Sequence, residues 1–158
     1  MDDNDIRHLR RCIELAAEAL DAGDEPFGSL LAGPDGAVLI EDRNRVSGGD
    51  STRHPEFELA RWSAENQPPA DRASSTVYTS GEHCPMCSAA HAWVGLGRIV
   101  YASSSAQLTQ WLTDLGVPPG PVAALSINEV APGIETDGPA PDLAGDVHAL
   151  HVRFRAGG

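Results

Sequence analysis

Cysteine is scarce in this chain, with three among 158 residues, and two of those, Cys84 and Cys87, fall in one Cys-x-x-Cys. An odd, sparse set is a poor disulfide framework, which argues against a stapled secreted scaffold and for a compartment where thiols stay reduced, the cytoplasm. Positive charge is short as well: 11 Lys and Arg stand against 23 Asp and Glu, for a formal net charge of -12. Proteins that hold nucleic acid by neutralising phosphates carry a basic face, so the balance argues against nucleic acid and for a small or neutral partner. No run of about 18 or more apolar residues is present, which excludes a helical membrane span. The first residues are acidic (Asp2, Asp3, Asp5), where a signal peptide would be basic and then apolar. No internal repeat or low-complexity tract interrupts the chain, and its length suits a single domain over 1–158 with its own core.

Along the chain, Ile6, Leu9, Ile13, Ala16 and Leu20 recur at helical spacing and predict an amphipathic helix over 5–22, ending at Gly23. Cys12 falls on its apolar stripe as a buried, inert thiol. Pro26–Ala32 and Ala37–Ile40 flank the turn Gly33-Pro34-Asp35-Gly36 and read as a hairpin, whose second strand runs out through Asp42–Val46 into a Gly-rich loop at 47–50. Asn44 at that exit could hydrogen-bond a heterocycle edge or simply cap the turn. A second helix is predicted from Pro55 to about Asn66, with Phe57, Ala60, Trp62 and Ala64 as core positions, then a loop at 67–71 and a strand over 76–80. A third helix starts at Pro85 and runs to about Val94, before Gly95 and Gly97. The strand 98–102 and the apolar run 121–127 are separated by an interval with Leu108, Trp111, Leu112 and Leu115 at helical spacing. That interval is long enough for a crossover, so the last two strands should be parallel. Residues 131–145 look like a surface loop, and a final helix is predicted over roughly 141–154, on or beside which His148 and His151 take core or solvated roles.

Two short pieces carry chemistry. His54-Pro55-Glu56 and, thirty residues on, Cys84-Pro85-Met86-Cys87 share one grammar: a metal-ligating side chain immediately before a proline that opens a helix. His54, Cys84 and Cys87 offer an imidazole and two thiols, soft donors suited to zinc, and three protein ligands leave a tetrahedral ion one position open, as catalytic zinc sites do. Thiols at a helix N-terminus are favoured as thiolates. Glu56 is either an acid placed favourably in a first helical turn or a carboxylate beside that open position.

The pattern His-x-Glu followed by Pro-Cys-x-x-Cys resembles the signature of zinc-dependent deaminases. With Pro26-Phe27-Gly28, Asn44-Arg45-Val46, Tyr78-Thr79-Ser80 and Arg98-Ile99-Val100-Tyr101, the likeness spans roughly residues 6–115, and the chain is identified as a member of the cytidine/deoxycytidylate deaminase superfamily. It is most similar to the branch of guanine deaminases and tRNA adenosine deaminases. The resemblance implies a three-layer α-β-α fold around a mixed five-stranded sheet. It also implies Zn2+ on His54, Cys84 and Cys87, Glu56 as the general acid and base, and water as co-substrate. Phe27 would stack on the substrate ring and Asn44 would bond its edge. Trp93 matches an aromatic position of guanine-deaminase-like sequences, and a homodimer is expected, with the tail at 131–158 covering the site. Three departures stand out. Pro55 replaces the usual alanine. His83 occupies the place where many relatives have proline, as a further ligand, a supporting donor or a substrate contact. His91 lies on the third helix, roughly toward the site or in packing.

The substrate implied is a free nucleobase, guanine or a related amino-heterocycle. The alternatives are a nucleoside, cytosine or cytidine deaminase, a structural zinc domain closed by a fourth ligand from His83, His91 or Cys12, and a redox dithiol at Cys84/Cys87. The last leaves His-x-Glu without a task.

Overall fold

The computed structural model describes residues 1–157. Helix α1 (Asp3–Asp21) opens on a capping box, in which the Asp2 carboxylate accepts from the Asp5 N–H and the Asp5 carboxylate accepts from the Asp2 N–H. Of the predicted stripe Leu9, Ala16 and Leu20 are buried with Cys12, Ile6 and Ile13 are half-buried, and Leu15 and Ala19 complete the buried face. Strands β1 (Gly28–Ala32) and β2 (Val38–Arg43) form the antiparallel hairpin. A 3-10 turn at Val46–Gly48 leads to α2 (Pro55–Asn66), α3 (Pro69–Ser74), β3 (Thr76–Gly81) and α4 (Pro85–Val94). Then follow β4 (Ile99–Ser103), α5 (Ser105–Asp114), α6 (Ile127–Val130), β5 (Thr136–Asp137) and α7 (Pro141–Arg155).

The strands form one five-stranded sheet in the order β2-β1-β3-β4-β5. β1 pairs antiparallel with β2 and β3, while β3, β4 and β5 run parallel. Successive side chains of a strand face opposite sides. Leu30 and Tyr78 therefore enter the core under α1 and α7 with Leu9, Val100, Leu143 and Val147, and Leu31 and Val77 enter the core under α2 and α4 with Leu59, Ala60 and Leu96. This is the expected three-layer arrangement, with the mixed sheet in the middle.

Three details correct the sequence reading. The run 121–127 is not a strand: Val122 is 61% and Leu125 40% exposed, and only Ile127 is buried. Val-Ala-Ala-Leu has strand composition, but Pro118, Pro119 and Pro121 lead into it and withhold the N–H groups a ladder needs. The place beside β4 is taken instead by Thr136–Asp137, within the stretch read as loop, so the last two strands are parallel but built from other residues. The stretch 67–71 contains the start of α3, with Pro69 in the first turn. In α2 the buried face is Leu59, Ala60 and Ser63, while Phe57 and Trp62 are half-buried and Ala64 is exposed.

Candidate active site

His54 and Cys84 are the N-cap residues of α2 and α4, each followed by proline, and neither side chain caps its own helix. Both are thereby free to turn toward one another across the α2/α4 packing. The Cys84 and Cys87 sulfurs lie 3.6 and 3.7 Å from His54 Nδ1. A sulfur and a nitrogen held tetrahedrally at ordinary zinc distances would be about 3.6 Å apart. The donor set therefore fits zinc in kind and in spacing. The three ligand atoms lie within 4.8 Å of one another, and no fourth His, Cys, Asp or Glu joins the group among the described residues. That is the pattern of a site with a position left for solvent or substrate, not of a closed structural site.

The charges of the trio are coupled. A hydrogen bond from Cys87 is the main cause that brings the Cys84 thiol down to about 4, and the same bond together with burial pushes Cys87 up. His54 is raised, first by its bond with Cys84. The lowered Cys84 pKa favours the thiolate form that a metal ligand needs, and His54 must be neutral when it donates to an ion.

Glu56, two residues beyond His54 in the first turn of α2, is 6% exposed. Its Oε1 accepts from Ser29 Oγ at 2.7 Å and from Thr79 Oγ1 at 2.8 Å. Burial raises its pKa, and the Ser29 hydroxyl and His54 pull in the other direction. Ser29 and Thr79 escaped the sequence reading. A serine inside the apolar strand Ser29-Leu30-Leu31-Ala32 was the one signal, and it gains meaning only once the register sets Ser29 opposite Thr79.

The other expected residues are placed unevenly. Phe27 is half-buried just before the start of β1, so close to Gly81 that a Cβ there would come within 3.1 Å of its ring. On its other side the ring meets His151 edge-on at 5.1 Å, and Trp111 stacks on His148 at 4.7 Å, which brings α5 and α7 to the same end of the sheet. Asn44 is buried and caps its turn, Oδ1 accepting from the Val46 N–H at 2.9 Å. His83 stands outside the donor group. It is 1% exposed, packs edge-to-face on His91 at 5.4 Å, and neither of its nitrogens has a hydrogen-bond partner. His91 Nε2 donates to the Gly97 carbonyl at 2.7 Å, a packing role. Trp93 is 89% exposed and lies about 9 Å further along α4 from Cys87, reckoned at the helical rise. Cys12 is fully buried and burial pushes its thiol up, as fits an inert core residue.

Known proteins share both pattern and architecture. The chain is 32% identical over 108 residues to a probable cytosine deaminase of Schizosaccharomyces pombe, covering 68% of this chain and 65% of that one. It is 34% identical over 97 residues to guanine deaminase of Bacillus subtilis, covering 60% of this chain and 62% of that one. It thus spans less than two thirds of either relative. The solved structure of guanine deaminase from Nitrosomonas europaea superposes with a TM-score of 0.69 over 94% of this chain and 83% of that one, at 24% identity, which is a likeness of fold. Residues 2–103, which hold both helix starts and all three zinc donors, match the cytidine and deoxycytidylate deaminase zinc-binding region, and the chain belongs to that family.

Proposed function

We propose that this protein is a hydrolytic deaminase that releases ammonia from a free nucleobase, guanine or a related amino-heterocycle. The observation that carries the reading is Glu56: a carboxyl buried and tied by two hydroxyls, within two residues of a ligand in a three-donor zinc set. His54, Cys84 and Cys87 would hold the ion, which when bound would supply Lewis acidity that lowers the pKa of water toward about 7. Glu56 accepts a proton from the attacking water and passes it to a ring nitrogen of the base, then takes the second proton from the hydroxyl now on the ring carbon and delivers it to the departing amine. The water oxygen bonds the ring carbon, the carbon–nitrogen bond breaks, and ammonia leaves. Burial raises the Glu56 pKa, which makes the carboxyl a better proton acceptor than an exposed glutamate.

Phe27, half-buried between Gly81 and His151, would lend the remaining part of its ring to the base, and Asn44, with Oδ1 used by its own turn, offers its amide NH2 to an acceptor on the base. The guanine reading is supported by the fold shared with the Nitrosomonas enzyme and by the Bacillus relative. The 32% identity to a probable cytosine deaminase favours cytosine as the second reading. The charge of -12 weighs against a polynucleotide substrate. The exposed Trp93, Val122 and Leu125 support a homodimer that covers them, in which Trp93 and the α7 tail would complete the pocket of one subunit or the other. Three free cysteines suit the cytoplasm, and no described helix is long and apolar enough to cross a membrane.

The test is ammonia release by zinc-loaded protein from a panel of guanine, adenine, cytosine and their nucleosides. Guanine or a close analogue is expected to react. Glu56→Gln keeps an acceptor for the two hydroxyls and should remain folded and zinc-bound while losing about 10²–10⁴ in turnover. Turnover of cytosine alone would select the second reading, and a fully active Glu56→Gln would sink the mechanism.

A further inference from the structure

Ser29 and Thr79 are cross-strand partners on β1 and β3 and are fully buried. The next pair on the same face, Leu31 and Val77, is apolar and packs under Leu59 and Ala60 of α2. A hydroxyl in such a place costs stability unless it is partnered, and alanine or valine would fill the same space without that cost. The partners these hydroxyls have are few: Glu56 Oε1, each other at 2.9 Å, and for Thr79 the Gly81 carbonyl at 2.8 Å. Two hydroxyl protons therefore serve one carboxylate oxygen and one carbonyl. Both side chains converge on Oε1, and neither reaches Oε2.

We infer that Ser29 and Thr79 are positioning residues that hold Glu56 by one oxygen, so that Oε1 is a fixed anchor on the sheet and Oε2 is the oxygen that exchanges protons with water and substrate. The inference rests on the deaminase reading and adds a division of labour within the carboxyl. Two hydroxyls on one oxygen stop the carboxyl from rotating about its last bond, and a flipped or tilted carboxyl would have to be re-aimed in every cycle. The sheet supplies the rigidity: the register that pairs Ser29 with Thr79 is also the register that pairs Leu31 with Val77, so the apolar core under α2 sets the aim of the acid above it. Thr79 has a choice of acceptor between Oε1 and the Gly81 carbonyl, whereas Ser29 reaches only Oε1 and Thr79 itself.

Zinc-loaded Ser29→Ala, Thr79→Val and Thr79→Ser answer the question with two readouts. The first is steady-state kinetics on the best base of the panel, with zinc content measured alongside. Ser29→Ala and Thr79→Val are expected to keep their zinc and a KM within about 3-fold, and to lose about 10–100-fold in kcat, the scale of a misaimed catalytic group. Thr79→Ser, which keeps the hydroxyl, should return to within about 3-fold of the parent. The second readout needs no turnover: the infrared carboxyl band of Glu56, identified as the band missing from Glu56→Gln, should shift in Ser29→Ala and Thr79→Val and stay in place in Thr79→Ser. A Glu56 band unmoved by either hydroxyl deletion overturns the inference, as does a loss confined to KM or a failure of Thr79→Ser to rescue. Should the parent turn over no base at all, the deaminase reading falls, and the infrared comparison still decides whether the two hydroxyls hold the carboxyl.

Discussion

His54 Nδ1 and Cys84 Sγ stand 3.6 Å apart although thirty residues separate them, because each sits at the N-cap position of a helix and the two helices pack with their starts together. The contact ties α2 to α4, so an ion bridging these donors would also clamp two elements of the fold. Binding to the folded chain alone stabilises by mass action, about 4 kcal/mol for free zinc at a thousand times its Kd. Removing zinc with a chelator is expected to lower the melting temperature by on the order of 10 °C for a domain of this size. Cys87→Ser should abolish both zinc retention and the chelator effect. Scanning calorimetry with metal analysis reads the two together, and a chelator-insensitive melting temperature in zinc-loaded parent protein would contradict the clamp.

The same locality explains what could be read in advance. His54, Cys84 and Cys87 are legible because each lies beside a proline that opens a helix, and the chemistry is written within a few residues. Helices α1, α2, α4, α5 and α7, the hairpin, β3 and β4 follow from periodicity and turn residues, whereas the short helices α3 and α6 do not. β5 was not legible: Thr136-Asp137 carries no strand signal of its own, and it is held by β4 and by the Arg98 contact to Asp137, both distant in sequence. Ser29 and Thr79 were missed for a similar reason, since their meaning depends on a register joining positions fifty residues apart. His83 illustrates the reverse case, where adjacency to a ligand placed a residue near the site in sequence and the backbone turned its ring away into a buried stack with His91.

Buried histidines make stability depend on acid. Burial is the main cause that holds His91 and His151 at about 4. In the unfolded chain each returns to about 6.5. Between those values the unfolded state takes up protons that the folded state refuses. Their contribution is therefore complete above about pH 6.5 and is lost as pH falls toward 4, each adding a slope of up to about 1.4 kcal/mol per pH unit. Urea unfolding at a series of pH values should show this decline, and His91→Gln, whose amide can donate to the Gly97 carbonyl, should make it shallower. An identical slope in parent and variant would remove His91 from the account.

Asp5 and Arg98 form the most connected polar pair outside the site. The Asp5 carboxylate, 3% exposed, accepts from Arg98 Nη1 and Nη2 at 3.0 and 2.9 Å and from the Tyr78 hydroxyl at 2.8 Å, while Arg98 also reaches Asp137 at 2.8 Å. Burial alone would raise the Asp5 pKa, but Arg98, the Asp2 N–H and Tyr78 hold it below the usual carboxylate range. Its stabilisation is present above the ordinary value of about 3.9 and is lost as pH falls below that. Arg98→Ala strands a buried charge and should cost about 3 kcal/mol or more, and Arg98→Lys, which cannot form the two-pronged contact, an intermediate amount. Chemical denaturation at neutral pH measures both. Equal stability of Arg98→Ala and the parent would mean that Asp5 is held by Tyr78 and the helix cap alone.

Gly28 is where the backbones of α1 and β1 approach closely. A Cβ there would lie 2.4 Å from the Cys12 carbonyl oxygen and 2.4 Å from Leu15 Cβ, and backbone cannot yield as a flexible side-chain end can. Gly28→Ala must push α1 off the sheet or push β1 toward α2. Overpacking of this kind costs about 1–3 kcal/mol. Because the residue after Gly28 is Ser29, the second displacement carries over to Oε1 of Glu56. The variant is therefore expected to lose more activity than its loss of stability explains: measured well below its melting temperature, where the folded fraction is complete, kcat should still fall by about 10-fold or more. Should activity per folded molecule be unchanged, the strain is absorbed by α1 and the two halves of the sheet are mechanically separate at this position.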